Sequence, residues 1–322
     1  MSSIVDDLIG RRVAVVLGKG GVGRTSVSFA LSLLASQRGR RTLIIETDPE
    51  RPIAAAYDRR PGLEPVELAG NLWALFLGGQ ESLEDYLGLV VPRAILRAVF
   101  ASSLYQYFVS AAPGLRELTM MGKVFHEIER RPYSRAPWNL IVLDLPASGQ
   151  SLSMLKMPFA ARETFGESIV GSEARAVAAF FRDRAKCAMI TVTTAEALPI
   201  AETLEIHHAL EALRLGVAAV IFNRTAARGF EAGDITRMLR RATPAAVLKR
   251  PGDLAEIARN ELRRRNHERR ALAILERQIG APIIALSERR GLSGLQLASE
   301  LAAQLNSYCA GPGPEASSGM PG

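Results

Sequence analysis

Only two cysteines, Cys187 and Cys309, occur in 322 residues, far apart and with no C-x-x-C pair. That excludes a local zinc clamp and suits a reducing cytoplasm. Long hydrophobic runs are also missing. The most apolar stretch, Leu89 to Ala112, is interrupted by Pro92, Arg93, Arg97 and Gln106, and falls short of the about 18 uncharged residues a bilayer crossing needs. No secretory signal is expected, since Asp6 and Asp7 stand where a positive segment would be. Aromatic residues make up 6% and provide no stacking platform beside the arginines, so a net charge of +7 does not by itself imply nucleic acid. Much of that charge collects in Arg259 to Arg277, where Glu261, Glu268 and Glu276 are interspersed. This spacing predicts a helix with a solvated face of i,i+4 pairs. Hydrophobic residues reach 48%, ample for one large α/β domain or two small ones.

What is present is organised around Gly18-Lys19-Gly20-Gly21-Val22-Gly23-Arg24-Thr25. The apolar run Val13 to Leu17 precedes it and reads as a buried strand. Ser26 to Gln37 follows, with Phe29, Leu31, Leu33 and Leu34 on one helical face. Strand, glycine turn and helix are the setting of a phosphate-cradling loop. Glycines adopt φ > 0 at little cost, and successive N–H groups with the positive helix end then face an anion. Thr25 stands where a hydroxyl holds Mg²⁺. The pattern G-x-x-x-x-G-K-[ST] is altered, because Arg24 takes the lysine position and Lys19 follows the first glycine. Arginine is bulkier and flatter than lysine, so a loop that binds nucleotide yet hydrolyses it poorly stands as an alternative to an active one.

Further strands are predicted at Thr42–Thr47, Leu72–Leu77, Asn139–Leu143, Ala188–Thr193, Val217–Phe222 and Pro282–Leu286, and helices at Arg93–Arg131, Ile200–Leu213 and Leu295–Leu305. The alternation implies an α/β fold, a doubly wound, mostly parallel sheet with helices on both faces. Ligands on such sheets sit beyond the carboxyl ends of the strands, where Gly18, Asp48, Asp144 and Asn223 all fall. Asp144 ends an apolar strand, either as an acid holding Mg²⁺ through Thr25 or a water, or as a helix N-cap. Gly149, five residues on, can turn a backbone N–H toward a γ-phosphate.

With Thr47-Asp48-Pro49 and Asp144 to Pro158 added to the loop, the chain resembles the ArsA-type ATPase family. That family comprises the arsenite-pump ATPases and the eukaryotic ATPase that delivers tail-anchored membrane proteins. It is a branch of the deviant-Walker group shared with the ParA and MinD partitioning ATPases. Gly149 five residues after Asp144, then Ser151-Leu152, then Pro158 fit this branch, as do Ala195 to Pro199 with Glu202-Thr203, Asn223 in Phe222-Asn223-Arg224, and Glu288-Arg289-Arg290-Gly291. The resemblance implies ATP and Mg²⁺ as cofactors. Gly18, Lys19, Gly20, Gly21, Val22, Gly23, Arg24, Thr25 and Ser26 would hold the phosphates, with Thr25 and Asp144 on the metal. Lys19 would act in trans across a dimer interface and Asp48 would orient or deprotonate the attacking water. Glu196 would touch nucleotide near that interface, Asn223 would pair with adenine, and the Glu288–Gly291 loop would lie near the base.

The departures are informative. There is no cysteine cluster for arsenite or antimonite, which argues against a metalloid pump. About thirty residues separate Pro158 from the strand at Ala188, too few for a large client-holding insertion. The resemblance is therefore to shorter bacterial members, and Arg24 suggests the degenerate half of a heterodimer. A homo- or heterodimer with a paralogous ATPase is expected, together with a hydrophobic or membrane-protein client, no nucleic acid, no transmembrane segment, and a cytoplasmic or peripheral membrane location. Residues 1–310 read as one ATPase domain, with a helical subdomain at about 80–135 and 153–186, before a Gly/Pro/Ser-rich disordered tail at 311–322. Met120, Met121, Met154 and Met157 belong either to a client surface or to the core, and Tyr105 to Phe108 form a second candidate surface. His207-His208 read as ordinary helix side chains rather than ligands. The function that the resemblance implies is an ATP-hydrolysing dimeric switch coupling nucleotide state to client binding, and its two rivals are a non-catalytic regulatory subunit and a ParA/MinD-like positioning ATPase. The tail lacks the amphipathic pattern that the MinD form needs.

Overall fold

The structure is a computed structural model that describes residues 3–78, 114–129, 138–226 and 254–309. Helix α1 (Ile4–Gly10) is capped by Ser3, whose hydroxyl accepts the Asp6 N–H at 3.1 Å. Then come β1 (Val13–Gly18), α2 (Arg24–Gln37), β2 (Thr42–Glu46), the short α3 (Pro52–Ala55), β3 (Val66–Ala69) and β4 (Leu72–Phe76). Helix α4 (Leu115–Glu129) precedes β5 (Leu140–Asp144), followed by α5 (Ser148–Phe165), α6 (Ile169–Arg182) and β6 (Cys187–Thr193). The described chain ends with α7 (Ala197–Ala212), β7 (Val217–Thr225), α8 (Leu254–Ile279), β8 (Ile283–Ser287) and α9 (Gly294–Ser307).

The eight strands form one sheet in the order β3-β4-β2-β5-β1-β6-β7-β8, and every neighbouring pair is parallel except β3 with β4. Side chains alternate between the faces of a strand, and the central strands show why both faces are covered. Ala14 and Val16 join a core with α1, α2 and α9, whereas Val13, Val15 and Leu17 join another with α4, α5, α6 and α7. This is the doubly wound fold expected. Met120, Met121 and Met154 are buried in the second core, and Met157 packs partly buried beside Leu118, Ala161 and Ala174. The methionines therefore fill the interior instead of lining a surface.

Differences from the sequence reading are local. Helix α2 starts at Arg24 rather than Ser26, α8 runs beyond Arg259–Arg277, and α1 and β3 were not anticipated. Of the helix expected at Arg93–Arg131, Leu115–Glu129 is described, while Tyr105–Phe108 and the tail 311–322 lie outside the described residues. His207 is buried within ion-pair reach of Glu211 at 3.5 Å, one turn along α7, and His208 is exposed. Beside β8, side chains substitute for a neighbouring strand. The Tyr308 hydroxyl accepts from Ala285 N–H at 3.1 Å and donates to its carbonyl at 2.9 Å. Gln304 does the same for Ser287, at 2.7 and 3.2 Å.

Candidate functional site

The loop between β1 and α2 keeps its glycines for steric reasons. A Cβ on Gly18 would run into the Val192 carbonyl, and one on Gly23 into the Asn223 amide. Gly23 is the N-cap of α2 with φ 92°, a left-handed conformation that costs glycine little. No side chain caps this helix, so the first N–H groups of α2 lack intrahelical partners and are open to an anion. Gly20 lies 3.9 Å from the Ala147 side chain, by the position a Cβ would take, which sets the loop against the start of α5. Gly149, read as a mobile switch glycine, falls in the first turn of that helix.

Asp144 ends β5 beside both β1 and β2, in register with Val16 and Glu46. Its carboxylate accepts the Thr25 hydroxyl at 2.8 Å and the Ser28 hydroxyl at 2.8 Å, and is buried. Burial pushes its pKa up and Asp48 adds to this, while the two hydroxyls and Arg24 oppose it. Asp48, on the exposed turn after β2, accepts the Glu50 N–H at 2.9 Å. Thr47 donates to the Asp144 carbonyl at 2.9 Å and ties the two strand ends together.

Arg24 does not lie free over the loop. Its guanidinium donates to the Leu145 carbonyl through one terminal nitrogen and to the Lys19 carbonyl through Nε at 3.3 Å. Burial lowers its pKa, against the pull of Asp144 and Asp48; a guanidinium remains charged through such a shift. Lys19, which the resemblance assigns to a partner's nucleotide, is paired within its own chain to Glu202 at 3.0 Å. Asn223 is buried, and its Nδ2 donates to the Val22 carbonyl at 2.8 Å. Glu196 is the exposed N-cap residue of α7, with no side-chain cap bond.

Beyond Asn223 opens a cavity of about 350 Å³ at the ends of β6, β7 and β8, walled in part by Glu196, Arg224, Arg264, Glu268 and Glu288. Arg264 comes from α8. It pairs with Glu268 at 3.3 Å and Glu288 at 2.8 Å, and donates to the Arg224 carbonyl at 2.6 Å. Burial pushes the Glu288 carboxyl up, but Arg264 and Arg290 together bring it below its ordinary value.

The family of anion-transporting ATPases matches residues 11–173, half of the sequence, including the loop, Asp48 and Asp144. The chain belongs to the ArsA-type ATPase family. ATPase BagA of Mycobacterium tuberculosis is 28% identical over 238 residues, covering 71% of this chain and 70% of that protein. ATPase ASNA1 homolog 1 of Paramecium tetraurelia is 29% identical over 143 residues, 44% of this chain and 42% of its own. No helix among the described residues is long and apolar enough to cross a membrane.

The donor set of this ArsA-type chain fits nucleotide and a divalent cation. Gly18 and Gly23 cannot carry a Cβ without striking the Val192 carbonyl or the Asn223 amide, which fixes the loop as glycine, and Thr25 and Asp144 bring a hydroxyl and a carboxylate to one point. A hydroxyl and a carboxylate are the hard oxygen donors that Mg²⁺ takes. Two contributors escaped the sequence reading. Arg264 was placed on a solvated helix face, and its i,i+4 partner Glu268 could be found by spacing, but its reach to β7 and β8 could not. Glu46 was passed over as the polar end of a strand. It is buried and accepts the N–H groups of Ile53 and Ala54 at 2.8 and 3.0 Å, positioning the turn that carries Asp48.

Burial, outweighing those two amides and reinforced by Asp144 and Asp48, pushes Glu46 from its ordinary 4.5 to about 6. The folded protein therefore holds this proton more tightly than the unfolded chain. The stability that Glu46 contributes is fully present below pH 4.5 and is lost as pH rises through about 6. Relative to Glu46→Gln, wild-type stability is expected to fall by roughly 2 kcal/mol across that window. Urea unfolding of both proteins over the range checks it, and a constant difference would assign the proton elsewhere.

Proposed function

We propose that this chain binds ATP with Mg²⁺ and works as a dimeric ATP-driven switch, the weakly hydrolysing partner in a heterodimer with a lysine-bearing ArsA-type ATPase. The observation that carries this reading is the Thr25–Asp144–Ser28 triad beneath an uncapped helix start, at the mouth of a glycine loop. The loop amides and α2 would take the phosphates, and Thr25 and Asp144 would hold the cation. A cation held by Thr25 and Asp144 would supply positive charge against that developing on the phosphates. Asp48, exposed and poised on a turn, would orient the water, and Asn223 would meet the adenine. Lys19 would leave Glu202 to act in trans, and Glu196 would lie close to the interface. Leu198, 59% exposed one residue beyond the start of α7, supports a covered surface at that place.

A hydrophobic client is the proposed cargo. Helix α5 starts four residues after Asp144, and exposed Phe165 and Ile169 flank the turn that joins it to α6. Movement at Asp144 would thus reach an apolar spot through one rigid element. The family membership supports hydrolysis in general. The Arg24 contacts favour a second reading, a regulatory subunit that binds ATP and supports hydrolysis in its partner. Single-turnover hydrolysis by this chain alone, by a lysine-bearing relative from the same source, and by the mixture is the test. A mixture that exceeds the sum of its parts by about a hundredfold or more is expected, the scale of one preorganised charge acting on the transition state. No complex and no gain would overturn the heterodimer.

A further inference from the structure

The wall of the 350 Å³ cavity is held by a helix to which no nucleotide role has been given. Asn223 ends its amide nitrogen on the Val22 carbonyl at 2.8 Å, inside the phosphate loop. A carbonyl accepts only, so the nitrogen end of the amide must face it. The oxygen end is what remains for a base, and it accepts no hydrogen bond among the described residues. An acceptor there matches the exocyclic amine of adenine and opposes the O6 acceptor of guanine.

That orientation needs support, because the next residue is strained. Arg224 sits at φ 56°, a left-handed conformation in which a non-glycine side chain is uncommon. Three bonds from outside β7 hold the turn. Arg264 donates to the Arg224 carbonyl at 2.6 Å, Glu268 accepts the Ala226 N–H at 2.7 Å, and the Glu288 N–H donates to the Thr225 carbonyl at 2.9 Å. Arg264 also binds the carboxylates of Glu268 and Glu288, so one guanidinium secures both acids that flank the turn.

We infer that Arg264 is a specificity-determining positioning residue: by fixing the Arg224 carbonyl with Glu268 and Glu288, it locks Asn223 with its oxygen toward the base and selects adenine over guanine nucleotides. The inference rests on the ATP-site reading above and adds to it the element that sets base choice. Loss of Arg264 lets the 223–226 turn relax and frees the amide to rotate, which weakens adenine binding and removes the penalty against guanine.

The test compares binding of fluorescent ATP and GTP analogues with Mg²⁺ to wild type, Arg264→Ala, Arg264→Lys and Glu268→Gln. Wild type is expected to prefer ATP. In Arg264→Ala the ATP analogue should weaken by about tenfold, the scale of one hydrogen bond to a base, while the GTP analogue holds or gains, so the preference collapses. Lysine should restore part of it, which a general loosening of the fold would not allow. If Arg264→Ala does not fold, Glu268→Gln takes the charge from one of the three Arg264 contacts with little change in size and should shift the ratio in the same direction by a smaller factor. An unchanged ATP-to-GTP ratio in a folded variant would overturn the inference and leave the ATP site standing. Wild type binding both analogues equally would overturn it too. Wild type binding neither would overturn the ATP-site reading itself.

Discussion

Arg24→Lys is expected to raise single-turnover ATP hydrolysis by about a hundredfold to a thousandfold, the range for one well-placed donor to charge developing in the transition state. In the native chain the guanidinium spans the carbonyls of Lys19 and Leu145, one on the glycine loop and one just past Asp144. Its flat fork suits two acceptors at once. An ammonium is a compact point charge with rotating donors and cannot bridge the two carbonyls in the same way, so its charge is available to the β- and γ-phosphates. Arg24→Ala is the control, since it breaks the bridge without supplying a cation, and it should weaken nucleotide binding with no gain in rate. A lysine variant no faster than wild type would show that the arginine serves hydrolysis where it stands, and would remove the main argument for a degenerate subunit.

Asp144→Asn should separate stability from activity. The carboxylate is buried between two hydroxyls, and burial raises its pKa, so the folded protein holds this proton more tightly than the unfolded chain does. The stability this group contributes is therefore greatest in acid and is lost as pH rises through its folded pKa. An uncharged amide escapes that loss. Apo Asp144→Asn should melt a few degrees above wild type at neutral pH, with the gap closing toward acid. Its Mg²⁺-dependent hydrolysis should fall by about a hundredfold or more, because the cation loses its anionic ligand. Calorimetric melts across pH, paired with single-turnover rates, read both effects. Retained Mg²⁺-dependent turnover would remove Asp144 from the metal site.

Much of this site can be read from residue order, and the reason is geometric. A buried parallel strand announces itself as an unbroken apolar run, as in Val13–Leu17 or Leu140–Leu143, and the first polar residue after it falls at the ligand edge of the sheet. Asp144 and Asn223 were found in that way. What escaped depends on contacts between distant segments. Arg264 looks like any arginine on an amphipathic helix until β7 and β8 are placed against it. Glu46 terminates a strand, and only the fold of residues 47–54 reveals two amides aimed at its carboxylate. Strand β3, Val66–Ala69, is four residues long with alternating exposure at the sheet margin, too short for its periodicity to stand out. Lys19 lies in the loop and Arg24 opens α2, yet their partners Glu202 and Leu145 lie more than a hundred residues away in sequence.

The Tyr308 and Gln304 bonds along β8 bear on how copies of this molecule can meet. An open sheet border invites a foreign backbone to be zipped on, the route to ribbons and fibrils. Here the outward donors and acceptors of Ala285 and Ser287 are already spoken for by side chains of the closing helix. Lateral growth from that margin is sealed at both residues, so a second copy cannot extend the sheet there without first displacing Tyr308 and Gln304.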